Sequence, residues 1–189
     1  TILGGAGNVV NNLRTLGANV DIMSVLGDCE ASEELQDLLQ SINIETQYLI
    51  TQVGRVTSKK SRVISAQQQV VRYDLESTSE INAKSQDTIL KTFKKIAHNY
   101  DVILLSDYGK GMLTYNLTQS ILAFAKGIRT KVLVDPKGLD YSKYKDAFLL
   151  TPNKKEASEA TNITITDNKS LKKALTNLKN VCNLRHSII

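Results

Sequence analysis

Asp101-Val102-Ile103-Leu104-Leu105-Ser106-Asp107-Tyr108-Gly109-Lys110-Gly111 opens a stretch, running on to Glu156, from which the fold can be read. It holds three short apolar runs, 102–105, 132–134 and 148–150, and each closes on polar or charged residues. The first runs into Ser106-Asp107-Tyr108-Gly109-Lys110-Gly111 and the second into Asp135-Pro136-Lys137-Gly138. The third runs into Thr151-Pro152-Asn153-Lys154-Lys155-Glu156. Unbroken apolar runs of this length, separated by helical pattern, read as parallel strands buried on both faces. In open α/β sheets ligands collect just outside the carboxyl ends of such strands, so three consecutive polar exits predict one shared site. The chain's two prolines, Pro136 and Pro152, both stand at these exits, where a strand must stop and turn.

Upstream, Thr1-Ile2-Leu3 reads as the end of a strand leading into Gly4-Gly5-Ala6-Gly7-Asn8. A helical pattern through Val9, Leu13 and Leu16 then reaches Gly17, which suits the position just past a helix end, where left-handed backbone carries no side-chain penalty. Residues 20–26 read as another buried strand, closing on Gly27-Asp28. Ser32 reads as the cap of a helix bearing Leu35, Leu38, Leu39 and Ile42. Residues 45–76 change character. Segments 47–51, 56–64 and 69–75 are rich in β-branched and polar residues, which predicts an antiparallel β insertion turning at Ser65-Ala66-Gln67-Gln68. In an α/β protein such an insertion reads as a lid that excludes water when it closes. Further helices are expected over 85–99, 114–126 and 153–160, and another starting from Asp167 or Ser170. Strand alternating with helix argues for βαβ units.

Composition narrows the function. The net charge of +5 comes from lysines paired along the whole chain, as at Lys59-Lys60, Lys94-Lys95, Lys154-Lys155 and Lys172-Lys173, not gathered in one arm. Scattered pairs read as solvated helix faces, and with 5% aromatic residues there is little from which to build base-stacking platforms. A small anionic substrate explains the charge at least as well. No apolar run reaches the roughly 18–20 residues of a membrane span and no secretory leader opens the chain, so a cytoplasmic protein is expected. Cys29 and Cys182 lack metal-ligand spacing and read as free thiols in a reducing compartment. His98 and His186 have no partners at ligand spacing, and no Ser/His/Asp or Cys/His arrangement is visible.

The remaining motifs each carry two readings. The glycine cluster is no GxGxxG fingerprint, because Val10 fills the third glycine's place, and no Lys-Ser/Thr pair makes it a P-loop. Gly5 lets backbone approach a ligand and Asn8 presents an amide at a helix start; alternatively the stretch is a tight turn. Asp107 and Lys110 suit sugar hydroxyls and a phosphate, or form a loop ion pair. Asp135 and Lys137 suit nucleotide phosphates or magnesium, and Asp135 is otherwise a cap. Asn153 and Glu156 fall on one face of a starting helix. Free N–H groups there favour phosphate, and Glu156 can hold magnesium through water. The bland reading is an ordinary helix start.

Together these residues resemble the ribokinase-like (PfkB) carbohydrate kinases. The first signature of that family is matched by Gly4-Gly5-Ala6-Gly7-Asn8, then Gly17, then Gly27-Asp28, with Val10 where a small residue is usual. Within the family, four segments are most similar to the bacterial heptose 7-phosphate kinases, the kinase half of the bifunctional enzyme that makes ADP-heptose for lipopolysaccharide. They are Leu105-Ser106-Asp107-Tyr108-Gly109-Lys110-Gly111, Val134-Asp135-Pro136-Lys137-Gly138, Thr151-Pro152-Asn153 and the lid segment Gln67-Gln68-Gln69-Val70-Val71-Arg72-Tyr73-Asp74.

The resemblance spans all 189 residues and implies one kinase domain with its lid at about 45–76. The implied fold is a three-layer α/β fold on a mostly parallel sheet with a small antiparallel β lid. The implied reaction moves the γ-phosphoryl group of ATP, with Mg²⁺, to the anomeric hydroxyl of heptose 7-phosphate, giving the 1,7-bisphosphate. By the same resemblance Gly5, Asn8, Asp107 and Lys110 hold the sugar phosphate while Gln68 and Arg72 close from the lid. Lys137, Asn153, Lys154, Lys155 and Glu156 border ATP, and Asp135 and, through water, Glu156 serve the magnesium. A homodimer formed through the lid is implied, with no nucleic-acid or membrane partner.

The family's catalytic base, an aspartate in Gly-Ala-Gly-Asp, is expected beyond Ile189, and the first strand with its sugar-binding aspartate before Thr1. The 189 residues by themselves are therefore expected not to turn over. Alternatives are a related kinase acting on a hexose phosphate or ribose, a nucleotide-binding module without catalysis, and a Rossmann oxidoreductase, the last disfavoured by Val10.

Overall fold

The computed structural model describes residues 1–66 and 68–189; Gln67, expected in the hairpin turn and at the head of the lid segment, lies outside the described residues. Backbone proximity groups the chain into two units, Thr1–Ser85 with Lys110–Met112, and Gln86–Gly109 with Leu113–Ile189.

The first unit begins with α1 (Ala6–Thr15), β1 (Ser24–Gly27), α2 (Glu30–Ser41) and β2 (Leu49–Gln52). Gly17 ends α1 as its sequence position predicts: its φ is +90°, and the Ala18 N–H closes back on the Leu13 carbonyl at 3.1 Å. Val10, Leu39 and Ile44 form a small buried core, ringed by Leu3, Val20, Ile22, Leu35, Ile42 and Leu49.

Three local expectations change here. The strand read over 20–26 shortens to Ser24–Gly27, because its parallel ladder runs only as far as the four residues of β2. Val20 and Ile22 serve the core as packing residues instead. Segment 47–51, expected in the antiparallel insertion, becomes β2 and pairs parallel to β1, so the insertion is smaller than 45–76. Ser32 does not cap α2, whose N-cap residue is Cys29. Its buried hydroxyl donates to the Gly27 carbonyl at 2.6 Å and lies 2.8 Å from the Thr57 hydroxyl, which itself accepts from the Gly27 N–H at 2.8 Å. Gly27 is obligatory at this crossing, since a Cβ there would stand 2.1 Å from the Arg55 carbonyl oxygen.

The insertion itself is an antiparallel hairpin of β3 (Lys59–Ser65) and β4 (Gln68–Leu75), with a bulge between Val63 and Ile64. Both strands are exposed on both faces, so the apolar Val63, Ile64, Val70 and Val71 all meet solvent. A two-stranded ribbon that buries so little is marginally stable by itself.

The second unit carries most of α3 (Ala83–Ile96), then β5 (Val102–Ser106), α4 (Tyr115–Gly127), β6 (Lys131–Asp135), β7 (Leu149–Leu150), α5 (Lys154–Thr161), α6 (Asn168–Val181) and β8 (His186–Ser187). Its sheet is fully parallel in the order β5-β6-β7-β8. Val132, Val134 and Leu150 of the middle strands are buried, and α4 packs Leu117, Ile121, Leu122 and Ala125 inward. Phe93 of α3 meets Phe124 of α4 edge-on, with ring centroids 5.9 Å apart. The two-face burial expected of all three strands fails at β5, where Val102 and Leu104 remain 45% and 40% exposed. In this sheet β5 is the outer strand, and residues two apart share its uncovered face. Thr114 caps α4 by accepting from the Leu117 N–H, and Asp167 caps α6 by accepting from the Ser170 N–H.

Candidate active site

The parallel register brings the three polar strand exits side by side. Ser106 lies opposite Asp135 and Val134 opposite Leu150. The ladder continues one residue further on each side: the Asp107 N–H donates to the Asp135 carbonyl at 2.9 Å, and the Thr151 N–H to the Val134 carbonyl at 3.0 Å. Pro136 and Pro152 are both buried at these ends.

Lys137 and Glu156 meet across the exits of β6 and β7, with Nζ 2.9 Å from Oε1. The other Glu156 oxygen accepts from the Asn153 N–H at 3.1 Å, while the Asn153 side chain accepts from the Glu156 N–H at 3.0 Å. This is a full capping box, so the ordinary helix-start reading of Asn153 and Glu156 is realised together with the Lys137 contact. Burial pushes the Glu156 carboxyl up, but the hydrogen bonds from Lys137 and Asn153 outweigh it and hold the group below its usual range. Lys154 and Lys155 stand exposed in the first turn of α5, where helix N–H groups also concentrate positive potential.

Asp135 contrasts with its neighbours. Among the described residues its carboxylate accepts no hydrogen bond, and burial, then the nearby negative charges of Glu156 and Asp107, raise its pKa despite Lys137. A carboxylate left in that field fits a hard cation. Mg²⁺ is commonly held by one or two carboxylates together with substrate phosphates, and Asp135 with Glu156 supplies that donor chemistry. No group of three or more His, Cys, Asp or Glu side chains among the described residues is placed to hold a metal ion.

Asp107 is 7% exposed and heavily engaged. Its Oδ1 accepts from the Gly109 N–H at 2.7 Å, and its Oδ2 accepts from Lys143 Nζ at 2.6 Å and from the Tyr144 hydroxyl at 2.7 Å. A carboxylate has about four lone-pair sites, so about one remains for a ligand.

In the first unit, Gly5 is the N-cap residue of α1 with φ +51°, a conformation that favours glycine, and Asn8 sits exposed in the first turn. Arg72 forks onto Asp74 with bonds of 2.8 and 2.6 Å, and Lys60 reaches Asp74 at 3.3 Å and Glu76 at 3.8 Å. The Lys110 ammonium pairs with Glu76. Arg72 above all, then Lys60, brings Asp74 down to about 2, and the Lys110 hydrogen bond holds Glu76 below its usual range. Gln68 opens β4 and is exposed.

Arg55 fixes the backbone of this loop. Buried to 9% exposure, its guanidinium donates to the Ser79 carbonyl at 3.0 Å and to the Lys110 carbonyl. Gly111 completes the docking, with φ +73° and a hypothetical Cβ only 2.0 Å from the Ser79 oxygen.

The sequence thus pointed to both Lys137 and its partner Glu156, and to Arg72 and Lys110 without theirs. Asp74 and Arg72 are two apart on one strand and so share a face, a signal available in the sequence. Arg55, Glu76, Lys143 and Tyr144 carry no such signal, because their roles arise from contacts between distant segments.

Relatives agree with this architecture. A family model described as pfkB family carbohydrate kinase matches residues 1–189. The chain is 56% identical over 189 residues to the bifunctional protein HldE of Aliarcobacter butzleri, covering all of this chain and 40% of that protein. It is 52% identical to the HldE protein of Sulfurimonas denitrificans, again over all of this chain and 40% of the other. The chain therefore spans about two fifths of the length of these curated relatives. Among solved structures, the tetrameric inhibited form of phosphofructokinase-2 from Escherichia coli superposes with a TM-score of 0.75 at 18% identity, over 98% of this chain and 61% of that one. Arabidopsis thaliana ribokinase complexed with ribose and ATP gives 0.74 at 13% identity, over 98% of this chain and 60% of that one. At such identities the likeness is one of fold. The family match over the whole length decides membership: the chain belongs to the pfkB family of carbohydrate kinases.

Proposed function

We propose that this chain is part of a cytoplasmic kinase that moves the γ-phosphoryl group of ATP to the anomeric hydroxyl of D-glycero-D-manno-heptose 7-phosphate. The product is heptose 1,7-bisphosphate, on the way to the ADP-heptose of lipopolysaccharide. The observation that carries this reading is the trio Asp135, Lys137 and Glu156 on neighbouring strand exits beside the start of α5. A carboxylate that accepts no hydrogen bond among the described residues, next to a lysine and a helix N-terminus, is the chemistry a metal-bound polyphosphate calls for.

In this reading Lys137, Lys154 and Lys155 neutralise the ATP phosphates, with Asn153 and Glu156 fixing the helix start that faces them. Asp135 and, through water, Glu156 hold Mg²⁺, which when bound draws charge off the transferring group. Gly5, Asn8 and Lys110 hold the sugar phosphate, Gln68 and Arg72 reach it from the hairpin, and the free lone pair of Asp107 takes a sugar hydroxyl. Phosphoryl transfer passes through a loose transition state, so positioning and charge neutralisation supply most of the rate. The proton of the sugar hydroxyl goes to the aspartate of a Gly-Ala-Gly-Asp motif, which residues 1–189 do not contain. The protein works as a homodimer joined through the β3–β4 hairpins, without nucleic acid or membrane.

A substrate panel on the full-length protein tests this. ATP consumption should depend on heptose 7-phosphate, and Lys110→Met should raise the KM for that sugar by about 10–100-fold, the worth of one charge-assisted hydrogen bond. Preference for a hexose phosphate, or Mg-nucleotide binding without sugar binding, would overturn the assignment.

A further inference from the structure

Tyr144 is a tyrosine with no exposed surface in a charged part of the molecule. It lies in a single 3₁₀ turn, Ser142–Tyr144, between β6 and β7. Its hydroxyl touches two separate strand exits. It donates to Asp107 Oδ2 at 2.7 Å at the end of β5, and it accepts from the Lys137 N–H at 3.1 Å just past β6. The Lys137 carbonyl is also in reach at 3.3 Å, but the one hydroxyl proton goes to the nearer, charged acceptor.

The rest of the network makes this arrangement rigid. Lys143 Nζ neutralises the same Asp107 oxygen at 2.6 Å, is held by the Leu113 carbonyl at 3.3 Å, and lies 5.0 Å from the centre of the Tyr144 ring. Tyr141 packs edge-on against Tyr144 with centroids 5.7 Å apart. Burial, then the Asp107 hydrogen bond, push the Tyr144 hydroxyl far above its usual pKa, so it stays protonated and keeps its donor at every working pH. Gly109, turned by its φ of +65°, donates to the other Asp107 oxygen and passes close to the Lys137 side chain.

We propose that Tyr144 is a positioning residue for Lys137: its buried hydroxyl ties the Lys137 backbone N–H to the Asp107 carboxylate. Lys137 is then held at two points, by Tyr144 at the backbone and by Glu156 at the ammonium. With both fixed, the ammonium has a defined place at the exit of β6 instead of following a loose loop. Asp107 accordingly acts on the nucleotide side through Tyr144, besides whatever sugar hydroxyl it accepts. This inference rests on the reading of Lys137 as a ligand of the ATP phosphates.

The test is steady-state kinetics of the full-length enzyme carrying Tyr144→Phe, which keeps the ring and its volume and deletes only the oxygen. The KM for ATP should rise about tenfold, the worth of one buried hydrogen bond. The KM for the sugar phosphate should rise less than the KM for ATP, since Asp107 keeps its bonds from the Gly109 N–H and Lys143 while Lys137 loses the side-chain tie at its backbone. In a cycle with Lys137→Met the two effects should not add, because Tyr144 acts only through Lys137. Asp107→Asn, which keeps the shape but weakens the acceptor, should raise the KM for ATP besides its direct effect on the sugar, and its ATP KM serves if Tyr144→Phe does not fold. An unchanged ATP KM in either folded variant, or equal losses for both substrates in Tyr144→Phe, overturns the proposal. Additive losses in the cycle would overturn it too. If Lys137→Met itself leaves the ATP KM unchanged, the fault lies with the reading of Lys137 as a phosphate ligand, and the inference falls with it.

Discussion

Lys137 and Glu156 form an ion pair, Nζ to Oε1 at 2.9 Å, that joins the exit of β6 to the first turn of α5. Because Glu156 also closes the capping box, the same carboxylate starts the helix and anchors the lysine. Deleting the reciprocal side chain with Asn153→Ala should cost about 1 kcal/mol, and Asn153→Gly only a few tenths. For a protein of this size the alanine variant should melt about 2–4 °C lower by calorimetry.

The pair also has a pH signature. The Glu156 carboxyl is lowered in the folded chain, so its contribution is present above its unfolded pKa and is lost as the pH falls through the folded value. The difference in Tm between the wild type and Glu156→Gln should therefore be full at neutral pH. It should shrink as the pH drops below the ordinary 4.5 of a glutamate, and calorimetry across a pH series reads it directly.

Arg55 is the buried support of the Lys110 loop. Arg55→Ala leaves the Ser79 and Lys110 carbonyls without their charged donor. Bonds of that kind are worth about 1.5–3 kcal/mol each, and a loss of about 3 kcal/mol in total is expected. In urea this appears as a lower midpoint with an unchanged slope; a variant as stable as the wild type would show that the loop does not need the guanidinium.

Two glycines give opposite signs for the same substitution. Gly27→Ala puts a methyl group 2.1 Å from the Arg55 carbonyl oxygen and should destabilise by about 1–3 kcal/mol. Gly127, the last residue of α4, has nothing within 4 Å of a hypothetical Cβ and no positive φ. Gly127→Ala should stabilise by about 0.4–1 kcal/mol, chiefly by restricting the unfolded chain. Paired denaturation curves test both.

The hairpin carries the prediction about assembly. Val63 and Val71 are cross-strand partners, 55% and 51% exposed. If hairpins join two copies, Val63→Asp with Val71→Asp should yield a monomer in sedimentation equilibrium. Little change in Tm is expected for that monomer, since neither side chain is buried within the chain. A dimer that survives the pair of charges would place the interface elsewhere.

Much of this molecule was legible in its sequence, and the reasons differ by element. The exits of β5, β6 and β7 were readable because apolar runs ending on Asp107, Asp135-Pro136 and Thr151-Pro152 can scarcely be anything else. The helix start at Asn153 with Glu156 three residues on is a local pattern and was visible for that reason, whereas the sequence allows either Asp167 or Ser170 as a cap and the structure gives it to Asp167. β2 was misread because residues 47–51 have the same β-branched texture as the hairpin, and only the partner strand decides whether a ladder is parallel. Ser32 was misread because a cap and a buried bridge want the same hydroxyl, and the choice depended on Thr57, which is 25 residues away. Tyr144 and Arg55 were beyond reach for the same reason: each serves atoms that meet only after folding.

Arg72, Lys60 and Lys110 carry Asp74 and Glu76 as built-in counter-ions. A phosphate that engages Arg72 and Lys110, as proposed, enters by anion exchange, displacing a carboxylate of the protein and not ions of the medium. Its affinity should then vary only shallowly with ionic strength. Each carboxylate set free returns toward its ordinary pKa, so in acid solution binding takes up protons. Discrimination among phosphates should then rest on how well a ligand competes with Asp74 and Glu76, not on how much positive charge the hairpin displays.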